Sequence, residues 1–225
     1  MAADFATRSL SDRDLIRDGE VATEVVPLLR ALQRPERELA MRFVTPNGTA
    51  RVAVVRHGRQ CISARRIGNE VTLDGEDAPA TLSAAARALM RHLPTSAAAE
   101  ILPVGGPIDA VAQALSDTHD AILLSDRIRA LGAEPRTAMQ LGSALANRMA
   151  FAEIVYYTLD NEEDRISRCR SAVGVFYTKR GRIVGAPSAS PSGQLWTTVK
   201  SGSDHTIKQA ISQLVELSTE RWEEL

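Results

Sequence analysis

The sequence predicts an α+β fold: two quasi-symmetric β-β-β-β-α units forming a central antiparallel sheet, with flanking helical bundles. Three observations carry that reading. In Ser171–Lys200 (SAVGVFYTKRGRIVGAPSASPSGQLWTTVK), Val173, Val175 and Tyr177 alternate with Gly174, Phe176 and Thr178, the period of two of a strand. The same order of features occurs earlier, over Arg51–Leu93. Between the copies, Pro94–Met149 is alanine-rich and lacks strand alternation.

In chain order, Ser11-Asp12 could cap a short helix, and Val25, Leu28, Leu29 and Leu32 form one stripe of a helix expected over Val21–Leu32, with Pro27 in its first turns. Pro35-Glu36 ends it. Leu39–Thr45 alternates as a strand, Pro46-Asn47-Gly48-Thr49 is a hairpin signal with Asn-Gly at the positive-φ positions, and Arg51–His57 pairs back. Gly58-Arg59 turns the chain into Gln60–Ala64, Val71–Leu73 follows, and Ser83 opens a helix with Ala86, Leu89, Met90 and Leu93 on one face. In the middle segment Leu102–Pro107 reads as a loop. Helical stripes follow at Ile108–Leu115, at Ile122–Leu131 and from Pro135 to Met149.

The second copy opens with Phe151–Thr158, crosses the acidic connection Asp160–Arg165, and repeats strand, turn and strand, Gly181-Arg182 standing where Gly58-Arg59 stands. Pro187–Gly193 is too rich in Pro, Ser and Gly to continue a strand. Leu195–Val199 resumes the alternation, and Ser203-Asp204 starts a helix with Ile207, Ile211, Leu214 and Leu217 on one face. The expected organisation is one domain over 1–225, with a pseudo-repeat of 21–93 and 150–218 around a helical segment, 94–149. Two copies make an architectural repeat, not a solenoid.

Composition narrows the function classes. At 225 residues, 44% hydrophobic and 24% charged, the chain is of ordinary globular type, and a net charge of −1 provides no overall field to attract phosphate backbones or acidic membranes. Cys61 and Cys169 are its only cysteines and show no CxxC spacing, which fits a reduced compartment without a thiolate zinc site. No run of about 18 apolar residues, the length a span requires, interrupts the sequence. The expectation is a cytoplasmic protein without a membrane span.

Few residues suggest chemistry. His57, His92, His119 and His205 lack HExxH or His-x-His spacing, the glycines form neither GxxxxGK[ST] nor GxGxxG, and Ser188, Ser190 and Ser192 lie outside any GxSxG context. Asp160–Asp164 lacks the regular carboxylate spacing of a calcium loop. These patterns imply no catalytic residues, no metal and no cofactor. A DNA-binding regulator using the helices at 125–148, with Arg127, Arg129, Arg136 and Arg148 nearby, is the alternative, although Ala-Met-Gln-Leu-Gly offers few base-reading side chains. On the sheet, alternation places Phe176 and Trp196 opposite the helix-packed face. They are there either as an apolar patch for a protein partner or as a surface covered by the 94–149 helices.

The run Arg37–Phe43 (RELAMRF), the strands Val52–Val55 and Cys61–Ala64, and the C-terminal AVGVFYTKRGRIVGAPS…GQLWTTVKSGS with its following helix resemble the EspG family, over roughly Val21–Leu217. EspG proteins are cytosolic, non-enzymatic chaperones of the ESX (type VII) secretion systems of actinobacteria. The resemblance implies a central antiparallel sheet with quasi-twofold symmetry and flanking helical bundles. It also implies an exported helical partner, a PE–PPE heterodimer or similar substrate, and no nucleic acid. The family's contacts fall by position on Pro46–Thr49, Leu195–Lys200 and parts of Pro135–Met149. The partner-binding residues expected from both arguments are Pro46, Asn47, Gly48, Thr49, Phe176, Trp196, Thr198 and Lys200. The chain is short for the family and its early hairpin loop is minimal.

Overall fold

The computed structural model describes residues 2–76, 79–160 and 164–223. The N-terminal elements are α1 (Ala2–Ser11), a small hairpin of β1 (Ile16–Arg17) and β2 (Glu20–Val21), and α2 (Val26–Gln33). The first unit follows as β3 (Arg37–Thr45), β4 (Gly48–His57), β5 (Gln60–Ile67), β6 (Glu70–Glu76) and α3 (Leu82–Met90). The middle segment holds β7 (Val104–Pro107), α4 (Ile108–Leu115), α5 (Ala121–Ala130) and α6 (Pro135–Ala146). The second unit is β8 (Ala150–Asp160), β9 (Arg165–Arg168), β10 (Val173–Thr178), β11 (Gly181–Ala189), β12 (Leu195–Ser201) and α7 (Asp204–Glu216).

All but the small hairpin join one sheet in the order β6-β5-β4-β3-β8-β10-β11-β12-β7, with β9 pairing the far end of β8. The first strands of the two units, β3 and β8, meet antiparallel at the centre with Met41 opposite Ile154, and each unit then runs outward strand by strand. The alternation read from the sequence is that of an antiparallel sheet packed on a core. Leu39, Met41, Phe43, Val52, Val54, Ile154, Tyr156, Val173, Val175 and Val184 face α3 and α7 in one core. Ala85, Ala88 and Leu89 of α3 and Ile207, Ile211 and Leu214 of α7 fill its other side. Both helices have side-chain caps: Thr81 accepts from Ala84 N at 3.2 Å and Ser203 from Thr206 N at 3.1 Å.

Among the described residues, the opposite face is covered only at its ends. Under α2, Ala31 packs on Val55 and Ile62. At the other end, Val111 of α4, Leu124 and Ile128 of α5, and Leu141 and Leu145 of α6 pack on Ile183 and Val199. Helices α5 and α6 approach closely at Gly142, where a Cβ would lie 2.2 Å from Ser125 Oγ. No helix among the described residues is long and apolar enough to cross a membrane.

Several boundaries differ from the sequence reading. Ser11 ends a helix where a cap was expected to begin one, and Asp14 (φ 56°) turns the chain away. The helix expected from Val21 starts at Val26, because Asp18 and Gly19, both at positive φ, close a hairpin that takes Val21 into β2. Pro27 accordingly sits in the first helical turn, where its missing N–H is least costly. Leu102–Pro107, expected as a loop, contains the edge strand β7, which pairs Val104–Pro107 with β12. Pro187 and Ser188 lie inside β11, beyond the last β10 pairing at Gly185, so the proline stands where only β12 flanks the strand. The third helix of the middle segment ends at Ala146, short of Met149. Of the expected connection Asp160–Arg165, residues 161–163 lie outside the described residues.

The turn glycines follow a different rule from the one expected. Gly58 lies within the β4–β5 loop, whereas Gly181 is the first residue of β11, so the two are not equivalent. Gly181 instead matches Gly48 of the early hairpin. In Thr45-Pro46-Asn47-Gly48 and Thr178-Lys179-Arg180-Gly181 the threonine hydroxyl donates to the glycine carbonyl, at 3.1 and 2.8 Å, and accepts from the N–H two residues on. Both glycines have positive φ, 131° and 109°, and Asn47 does not.

Candidate protein-docking groove

Between the covered ends of the second face the sheet is open, and its side chains can be read off the register. One row across the strands is Thr49, Val44, Phe151, Phe176 and Ile183. Its middle forms the floor of a groove of about 880 Å³. The Phe151 and Phe176 rings lie 5.0 Å apart, tilted by 36°, an arrangement favoured between aromatic faces and edges. Gly174 makes room for them, since a Cβ there would meet both rings at 3.3 and 3.4 Å. One wall is the β3–β4 turn with Thr45 and Pro46, and the other is α4 with Ile108, Val111, Ala112 and Leu115.

The lining is mostly apolar, with polar groups at the rim. Met149 is 50% exposed at the lip. His119 and Arg148 are in contact there, Nε2 to Nη2 at 3.3 Å, and Arg148 also donates to Leu145 O at 3.0 Å. Arg42 and Glu153 pair at 3.3 Å where the groove continues onto the first unit. Apolar floor, aromatic anchors and polar rim are the anatomy of a protein-docking surface.

The expected binding residues separate into two groups. Pro46 and Phe176 line the groove. Asn47, Gly48 and Thr49 are exposed at and beside the turn without lining it. Trp196, Thr198 and Lys200 are on the other side of the sheet, because they pair with Ser188, Ala186 and Val184, and Ala186 and Val184 belong to the core under α7. Phe176 and Trp196 therefore do not share a face. The expected alternation takes Leu195, Thr197 and Val199 inward, to the helix-packed face, and Trp196 outward, but Val199 packs beneath the middle helices instead. At β11 and β12 helices lie on both faces of the sheet, so hydrophobic alternation alone could not tell which helix each set meets. Trp196 lies across β7, where a Cβ on Gly105 would be 2.7 Å from its Nε1.

The residues missed were Phe151, Val44 and the apolar stripe of α4. A signal was present in β8: Phe151, Glu153, Val155 and Tyr157 alternate against Ala152, Ile154 and Tyr156, two sets that are both substantially apolar. A strand buried on one side and used on the other reads this way.

The arginines of the DNA-binding alternative are partly engaged. Arg127 donates to Ser116 O at 2.9 Å and Arg148 to Leu145 O and toward His119, while α6 turns Thr137, Leu141 and Leu145 inward. The histidines are dispersed, His57 against Arg34 O, His92 against Ser63 and His119 on the groove rim.

The EspG family profile matches residues 1–213. The chain belongs to the EspG family. Among solved structures it is similar to the Mycobacterium tuberculosis type VII secretion chaperone EspG5, determined in complex with the PE25–PPE41 dimer. The match has a TM-score of 0.81 at 17% identity and covers 97% of this chain and 87% of the other, which establishes a shared fold. No curated protein sequence matches the chain.

Proposed function

We propose that this EspG protein is a non-catalytic, cytoplasmic chaperone of a type VII secretion system that holds the apolar tip of an exported PE–PPE-type heterodimer in the groove between the β3–β4 turn and α4. One observation carries the reading: two partly buried phenylalanines, Phe151 and Phe176, stand side by side on the open face of the sheet, facing the apolar stripe of α4. Such a surface is what an amphipathic helical tip needs, since anchors in a central apolar pocket dominate protein–protein affinity. The EspG5 relative, whose complex contains a PE25–PPE41 dimer, supports the class of partner.

The test is titration of a panel of purified PE–PPE heterodimers, PE25–PPE41 among them, against the wild-type protein, Phe151→Ser and Trp196→Ala. At least one heterodimer should form a soluble complex that Phe151→Ser weakens by roughly 30-fold and Trp196→Ala leaves nearly unchanged. If no heterodimer binds, or if Trp196→Ala abolishes a complex that Phe151→Ser retains, the groove reading is wrong.

A further inference from the structure

The next row of the open face is unusual for a sheet. Arg66 of β5 is directly opposite Arg51 of β4, and Arg51 is directly opposite Arg42 of β3, so three arginines stand side by side across adjacent strands. Like charges directly opposite one another oppose sheet formation. All three are exposed. Arg42 is offset by Glu153, its neighbour on β8 at 3.3 Å, and Arg66 donates Nε–H to Gly68 O at 2.9 Å, whereas Arg51 makes no ion pair among the described residues. Beside this row the following one is built from small side chains, Ala64, Ala53, Ala40 and Val155, which leaves a depression of about 610 Å³ continuous with the phenylalanine groove through Arg42 and Glu153.

We infer that Arg42, Arg51 and Arg66 form a carboxylate-binding row that takes an acidic stretch of a partner protein along the open sheet. Its identification with the exported partner rests on the groove reading above. Charge complementarity selects the occupant: adjacent guanidiniums with spare donors match carboxylates, and the alanine floor lets a peptide backbone lie close. The apolar groove supplies anchoring and the arginine row supplies orientation and encounter rate, so a partner with its acidic side reversed is rejected.

The probe is fluorescein-labelled deca-glutamate, followed by fluorescence polarisation. It should bind at low salt and weaken by about tenfold in roughly 0.3 M salt. Arg51→Gln should weaken it by about fivefold, and Arg51→Gln with Arg66→Gln should remove it. Glu153→Gln, which frees Arg42, should tighten it, and Phe151→Ser should leave it unchanged, which keeps this outcome separate from that of the groove. Arg51→Gln should melt at or above the wild-type temperature, showing that lost binding is not lost folding. The inference is overturned if deca-glutamate does not bind, or if the double variant binds it normally. It is equally overturned if a single-stranded oligonucleotide of equal charge binds more tightly than the peptide and is lost in the same variants, because the row would then serve phosphates.

Discussion

The two faces of the central sheet come from the same strands, yet they are built for different ends. The face under α3 and α7 is closed over the central strands by Leu, Ile, Val and Tyr side chains. Among the described residues the other face is closed only under α2 and under α4–α6, and between them its rows carry Phe, Arg, Glu and Ala. The comparison separates stability from recognition: substitutions on the closed face should change folding, and substitutions on the open face should change binding.

The closed face also has a fastener that the two-unit symmetry does not supply. After α7 the chain returns over the first unit and buries Trp222 completely against Tyr156, ring centroids 6.3 Å apart, with its Nε1–H donating to Ala80 O at 3.0 Å. Two buried arginines hold the tail: Arg37 donates to Arg221 O at 3.0 Å and pairs with Glu220 at 2.9 Å, and Arg56 donates to Trp222 O. The largest effect expected in the molecule is therefore Trp222→Ala, which should lower unfolding free energy by about 3–5 kcal/mol in urea melts. Its partner affinity, measured where the variant is still folded, should match wild type. A variant that is stable but fails to bind would place recognition on the closed side and break the comparison.

Gly105→Ala comes next. Its methyl would meet the Trp196 indole, which must move, so stability should fall by about 1–2 kcal/mol with little change in binding. Smaller still is Gly174→Ala on the open face. There the new methyl would press on both phenylalanine rings at 3.3 and 3.4 Å, so the rings must shift by a few tenths of an ångström, and partner affinity should drop by roughly fivefold, about 1 kcal/mol, while the melting temperature barely moves. Calorimetric titration beside thermal melts distinguishes the two glycines.

Much of this was legible in the sequence, and the reason is physical. An antiparallel unit with one face on a helix advertises itself by alternation, and a repeated strand-turn-strand order survives small errors at boundaries. The helices α3 and α7 were legible through their threefold and fourfold spacing and their capping residues. The side to which Trp196 points was not legible, because Leu195, Thr197 and Val199 are as suited to cover by the middle helices as Trp196, Thr198 and Lys200 are to the vicinity of α7. Trp222 was overlooked because a lone tryptophan in a charged tail, Thr219-Glu220-Arg221-Trp222-Glu223, has no periodicity to mark it. The arginine row is invisible in one dimension, since Arg42, Arg51 and Arg66 become neighbours only when the register of three strands is known.

The smallest effect tests whether the open face is preorganised at the expense of folding. Glu38 lies on that face between Val55 and Tyr157, and burial pushes its carboxyl pKa above the ordinary glutamate value. A folded-state pKa raised in this way means that the folded protein holds the proton more firmly than the unfolded chain, so stability falls as pH rises from about 4.3, the unfolded value, through the folded one. Above that window the ionised carboxylate remains a standing penalty. Glu38→Gln should remove it, giving a slightly higher unfolding free energy than wild type at pH 7 and none of that advantage near pH 3, well below the unfolded value, where both states of the wild type are protonated. Urea melts of the two proteins at the two pH values measure the difference. An advantage for wild type at pH 7 would mean that Glu38 is held by a favourable charge partner, and the open face would then be internally satisfied in a way that leaves less need for a client to cover it.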